Sequence, residues 1–529
     1  LRRFSGTFNG NGHTIKNFTA PFFVIEKNTG ELRNFVLDGG KSGGIIRTHN
    51  GVIENVTVKN SHFYSAVTTT NHAALKNCTV ENSIIESGAV IMNNSGTVSN
   101  VRIVSSELKS DGGSLCALGD TFFVGGFIGI NDGIVSGCTV SELNVESTSA
   151  KTHVGGIFGI NTGTVTGTKG EKVKVRGKAV TAGVFAARNT GAVSSCGVRG
   201  DAYIEAERSF GGFAGENTKQ ITLSESDVYA EVTLLSDSGE KSCSGGFIGY
   251  SSGSVEACTS SGKLFFDCRT DDATAVCSGG AIGLAEGCVS SVTADASLFF
   301  TCRKTRGNAE SSLGGAVGCI KNASVSDVSR SGRFITVINE AEDAGGTDGV
   351  AKYQPKYHVG GFAGSVLSDS DRKNETVEYI SVDGTVRVNA KKRTFIDFGS
   401  VIGYANCEHV ISEGIVSGAF GVRSDGYEKV NFCVIIGRTD AVESVRGIAF
   451  AGRVSESGTD AGSIGFTGGA DGAFVKCYAR DNCGTSAVGA EYVPEEVFLS
   501  EAFYSDTLGW KGSRWRLADG RLPTLETGK

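Results

Sequence analysis

The residues best equipped for chemistry are 15 cysteines and 7 histidines, and their spacing decides what they can do. No cysteine pair has the C-x-x-C spacing of a zinc site. His13, His49, His62, His72, His153, His358 and His409 form no HExxH, which excludes a helix-borne zinc peptidase in this segment. No serine is expected on a nucleophile elbow. A sugar lyase or glycosidase would gather carboxylates with Lys or Arg on one outer face, an arrangement that only the fold creates. These spacings predict a chain that is not an enzyme and holds neither metal nor cofactor.

Five cysteines recur at one place in a repeated phrase. Cys78, Cys138, Cys196, Cys258 and Cys477 alternate there with Phe35, Val56, Val101, Val292, Val328, Ile380 and Val445. A position shared by Cys, Val, Ile and Phe faces a core, where cysteine acts as a small hydrophobe. Two further pairs are in register, Cys243 with Cys277 and Cys268 with Cys302. In strands stacked about 4.8 Å apart they are within disulfide reach, and reduced thiols satisfy the spacing equally. An odd total cannot pair completely.

Two phrases carry these residues. Gly125-Gly126-Phe127-Ile128-Gly129 returns from Gly155, Gly211, Gly245, Gly279, Gly314 and Gly360, with a worn copy from Gly399. The second reads apolar-x-x-apolar-x-apolar. It begins at Leu32, Ile53, Leu75, Val98, Val135, Val165, Val193, Ile221, Val255, Val289, Val325, Val377, Val410, Val442 and Phe474. Such a period marks a solenoid. Each phrase is short, β-rich and alternating, so its strands stack in parallel along the axis. The expectation is an all-β, right-handed parallel β-helix of about 15 coils, about 70 Å long. Gly 76 against Pro 4 suits short strands and tight turns and excludes collagen and disordered linkers. The glycines let the backbone bend, and Phe127, Phe158, Phe213, Phe247 and Phe362 fill the interior. A phosphate cradle would need a following helix with Lys and Ser or Thr, which is missing.

Residues 1–480 are assigned to the β-helix and 481–529 to a C-terminal capping segment. Trp510 and Trp515 in that tail close the core, with a sugar platform as the alternative. Asn34, Asn55, Asn77 and Asn100 repeat in four coils and predict an amide ladder at a turn. The longest coil, Val325 to Val377, carries an excursion from Asn339 to His358. Insertions in solenoids map to the binding face, which makes Asp343, Asp348, Tyr353 and Tyr357 the candidate binding residues. A second polar loop runs from Ser365 to Thr376.

Val124 to Val140 resembles the GLUG repeat of bacterial surface proteins, which include large adhesins and non-catalytic regions of immunoglobulin A peptidases. Phe4 to Ile15 is similar to the phrase that opens such β-helices, and Leu508 to Leu525 resembles their ending. A further stretch precedes the opening in that family, so an N-terminally trimmed piece is expected. The resemblance implies a secreted or cell-surface protein of bacteria, an adhesin stalk or display rod, and carries no catalytic residue over. Its partners would be a host or bacterial surface glycan or protein. A filament subunit joined through coil ends and a polysaccharide-active enzyme are the alternatives. The net charge of −7 argues against nucleic acid, and no apolar run approaches the roughly 20 residues of a membrane span.

Overall fold

The computed structural model of the chain describes residues 1–111, 116–235, 241–269, 274–302, 310–338, 356–369, 376–390, 395–407, 410–424, 429–441, 444–457, 465–469, 473–481 and 491–526. The architecture is a parallel β-helix. It divides into two compact units, Leu1–Val232 and Thr233–Lys529, each built on the same principle.

In the first unit Leu32 pairs with Ile53, Ile53 with Leu75 and Leu75 with Val98. The file continues through Val135, Val165 and Val193 to Ile221, always parallel. All eight are buried. A single coil would leave this row wet, and stacking covers it. In the second unit Val255, Val289, Val325 and Val377 repeat the pattern.

The register then departs from the sequence reading. Val377 pairs with Ile411, Ile411 with Val445 and Val445 with Phe474. The last copies therefore begin at Ile411 and Val445, not at Val410 and Val442; Val442 lies outside the described residues. Ile380 leads to Gly414 and Ile448, so Ile448 and not Val445 occupies the inward cysteine column. Apolar residues crowd both possible starts, and alternation alone does not choose between them.

The third residue of each phrase is left-handed, eight times in the first unit and seven in the second. Asn34, Asn55, Asn77 and Asn100 hold φ of 52–56°, which asparagine tolerates better than most side chains. Leu223 and Tyr379 adopt the same conformation without that help, so the stack, rather than the local residue, imposes the bend. The expected amide ladder is present with a break between Asn55 and Asn77: Asn34 donates to Asn9 Oδ1 at 3.1 Å, Asn55 to Asn34 at 3.0 Å and Asn100 to Asn77 at 3.2 Å.

The glycine phrase folds the backbone back on itself. A Cβ on Gly159 would lie 2.5 Å from the Gly129 carbonyl oxygen and 2.8 Å from Phe123 Cβ. None of the phrase's glycines is left-handed, so the requirement is close approach. Beside the fold-back, Phe127, Phe158, Phe185 and Phe213 form a column with centroids 6.4, 5.3 and 4.2 Å apart. Phe247 and Phe362 are fully buried in the second unit. Earlier coils offer Val67 and Val90 where the aromatics would stand, and a cavity of ≈ 50 Å³ remains among them.

A second ladder, absent from the sequence reading, lies inside the first unit. Asn71 donates to Asn94, Asn94 to Asn131, Asn131 to Asn161, Asn161 to Asn189 and Asn189 to Asn217, at 2.7–2.9 Å. All are buried. Ahead of them Asn28 Nδ2 meets His49 Nδ1 at 3.0 Å, and His49 Nε2 meets the Ala74 carbonyl at 3.2 Å.

The tail from Glu491 onward packs on the last coils. Val493, Phe498, Phe503, Tyr504, Leu508, Trp510, Trp515 and Leu525 form one cluster with Ile415, Ala449 and Ala451. Trp510 and Trp515 stack at 4.4 Å and are both buried, so neither offers a platform to a sugar. Arg514 reaches back to Asp327 at 2.7 Å and lies over the Tyr379 ring.

Candidate functional site

Two files of side chains flank the fold-back, two residues before its first glycine and five after. In the first unit they are Phe123, His153, Thr181 and Ser209, facing Ile130, Ile160, Arg188 and Glu216. In the second they are Cys243, Cys277, Ser312, His358, Asp397 and Asn431. Tyr250, Leu284, Cys319, Ser365, Tyr404 and Arg438 face them. Nucleophilic and ionisable types meet under cover in each unit, which makes the seam of each unit, taken by itself, a candidate site.

Its second-unit half changes chemistry coil by coil. Cys243, Cys277 and Cys319 form a buried thiol cluster. The Cys243 sulfur beside it, together with burial, pushes the Cys277 thiol far up. Protonated thiols there are poor nucleophiles. Next, Ser312 and Ser365 share a hydrogen bond of 2.7 Å.

His358 follows, stacked on Tyr404 at 4.6 Å. Its Nδ1 lies 3.0 Å from Asp397 Oδ2 and its Nε2 3.2 Å from Glu310 Oε2. Burial alone would lower its pKa, yet Asp397 and Glu310 outweigh it and raise it, which favours the protonated ring. In return the His358 hydrogen bond, aided by Lys356 at 2.9 Å, holds the Glu310 carboxyl at about 2. Asn431 donates to Asp397 at 2.6 Å, Tyr404 donates to Asp440 at 2.8 Å, and Arg438 closes on Asp440 at 2.9 Å.

The first-unit half is wired with the opposite sign. Glu216 is buried, takes Arg188 at 2.8 Å and Arg208 at 3.5 Å, and accepts from Thr181 at 3.2 Å. His153, stacked on Phe123, is pushed down to about 4 by burial and then by Arg188 and Arg208. One histidine is raised and the other lowered because carboxylates surround the first, whereas burial and two arginines act on the second.

Ser312, His358 and Asp397 are hydrolase residue types standing in one file. The wiring, however, gives both imidazole nitrogens to carboxylates, and Ser312 turns to Ser365 instead. An imidazole with both nitrogens turned to carboxylates has none turned to a serine. Gly40-Lys41-Ser42-Gly43-Gly44 does match nucleophile-elbow spacing, contrary to the sequence reading. Ser42 nevertheless lies buried inside the strand Lys41–His49 and donates to the Gly44 carbonyl at 3.1 Å.

Of the candidate binding residues, Asp343, Asp348 and Tyr353 lie outside the described residues. Tyr357 is buried, and its hydroxyl meets Cys302 Sγ at 3.3 Å, so it belongs to the core and not to a loop surface. The neighbouring His358 is the residue the sequence reading passed over. Its signal was the fixed offset from the glycine phrase. The inward cysteines also do more than fill space. Cys78, Cys138 and Cys196 donate to the carbonyl two residues back at 3.2–3.4 Å, the bond that Ser224 makes at the equivalent place.

Comparison with known protein families, with curated proteins and with solved structures finds no match to this chain. Among the described residues no three His, Cys, Asp or Glu side chains are placed to hold a metal, and no helix is long and apolar enough to cross a membrane.

Proposed function

We propose that the chain is a non-catalytic surface protein of the adhesin or display type, secreted or held at a bacterial surface, whose partner is a glycan. The observation that carries this reading is the wiring of His358. The one file holding serine, histidine and aspartate in sequence is closed on itself as an ion cluster, which supports a structural role for the best reactive candidates. The likeness of Val124 to Val140 to GLUG repeats supports the surface setting. Incubation of the purified chain with a panel of polysaccharides, followed by reducing-end and viscosity measurements, tests the reading. Unchanged polymers are the expected result. Shortening that is lost in His358→Gln overturns it.

A further inference from the structure

The chain is acidic as a whole, with a net charge of −7, yet the outward charges on one face of the second unit are all positive. Strands Arg333–Ile338, Thr385–Ala390, Ala419–Ser424 and Arg453–Ser457 lie side by side in parallel register. Phe334, Val386, Phe420 and Val454 point inward and are buried. Alternate residues therefore point out. The outward set holds Arg333, Arg387, Arg423 and Arg453, all exposed, and no Asp or Glu. None of these guanidinium groups has an ion pair among the described residues. Some basic side chains elsewhere are matched by acids, as Lys172 is by Glu142 and Lys178 by Glu205, while others, such as Lys76 and Arg102, are single charges among the described residues. Four unmatched charges on adjacent coils span about 14 Å at the strand spacing.

A rigid sheet thus presents guanidinium forks at coil intervals, with Thr385, Asn389 and Ser455 between them. Such forks grip carboxylate or sulfate groups bidentately, and the polar residues between suit hydroxyl groups. A single-stranded nucleic acid would want open aromatic faces for its bases. The aromatic rings on the adjoining outward file, Phe265 and Phe299, are instead stacked on each other at 4.7 Å and 9°. We infer that this face binds an extended acidic polysaccharide, an inference that rests on the surface-protein reading above and names the class of its glycan.

The test is binding of the whole chain to immobilised polygalacturonate at about 50 and about 200 mM salt, the range over which charge-driven contacts weaken strongly. Neutral dextran and a single-stranded DNA of matched charge run alongside. Binding to polygalacturonate that weakens with salt, with at least tenfold loss in the variant carrying R333Q, R387Q, R423Q and R453Q, is the expected result. R387Q alone should lose two- to threefold and guards against a misfolded quadruple variant, since its side chain is exposed. Absent binding, undiminished binding by the quadruple variant, equal capture of dextran, or tighter capture of the DNA each overturns the inference. Failure here leaves the non-catalytic reading standing, whereas shortening of the polymer removes that reading and leaves the face in place.

Discussion

Replacing Asn161 with valine tests the buried ladder of the first unit. Asn161 Oδ1 accepts from Asn131 at 2.7 Å, and its Nδ2 donates to Asn189 at 2.8 Å. Valine removes both links, so one Asn131 amide N–H loses its acceptor, the other keeping the Gly133 carbonyl at 3.4 Å, and the Asn189 oxygen loses its donor in a buried column. At about 1–3 kcal/mol for each buried group left in that state, the loss is about 2–6 kcal/mol. Adding Asn189→Val sharpens the test. The double variant breaks three links but strands no more groups than the single one, since Asn217 Oδ1 still accepts from the Lys219 N–H at 3.4 Å. It should cost about as much as the single variant, a coupling nearly as large as the single loss. Coils of a solenoid need not unfold together, so the assay is hydrogen exchange of peptides covering Thr121–Asn131 and Ala214–Asn217 alongside urea unfolding. A single variant within about 0.5 kcal/mol of the parent, or a double variant costing the sum, refutes the reasoning.

Other expectations follow from the seam, the cavity and the cap. His358 is raised, so its contribution is complete below the ordinary value of 6.5 and is lost as pH rises through the folded value; His153, held at about 4, contributes fully above 6.5 and loses that as pH falls. Hydrogen exchange across pH 4–9 should therefore loosen the two units at opposite ends, and His358→Gln should flatten the alkaline limb alone. Val90→Ile adds one methylene beside the ≈ 50 Å³ cavity and should stabilise the first unit by about 0.8 kcal/mol in urea unfolding, while Val90→Phe overfills it and should destabilise. Arg514→Ala leaves the buried Asp327 carboxylate unpaired; with Arg514 half exposed the cost is about 1–3 kcal/mol, read as faster proteolysis of the tail, and Asp327→Asn in that background should restore resistance.

Architecture was legible because it is written many times over. Leu32, Ile53, Leu75 and Val98 declare the same strand in four coils, and a mistake at one is corrected by the next. The reading slipped at Ile411 and Val445, where the asparagine and cysteine markers vanish and neighbouring apolar residues compete for the register. Exposed and buried asparagines were not separable by sequence: Asn100 and Asn131 both recur once per coil, and only the fold shows one turned to solvent and the other enclosed. In the second unit the file of the enclosed ladder passes through Ser251, Ala285, Ile320, Val366 and Ala405. Amides and aliphatics fill that column by different physics, hydrogen bonds in one case and apolar burial in the other.

The seam was illegible for a deeper reason. Lumen positions stack on their own copies above and below, so a type that suits one coil, aliphatic or amide, suits the next, and their identity is repeated. Seam positions need only match what lies diagonally opposite. Cys277 suits Cys319, Ser312 suits Ser365, His358 suits Tyr404 between two carboxylates, and Thr181 suits Glu216. Each pairing is self-contained, so neighbouring coils are free to differ and no repeat betrays them. The four arginines of the outer sheet are freer still, since they have no partner within the described chain at all. Their charges are balanced by nothing among the described residues, and four such charges on adjacent coils are the physical ground for looking there for a ligand.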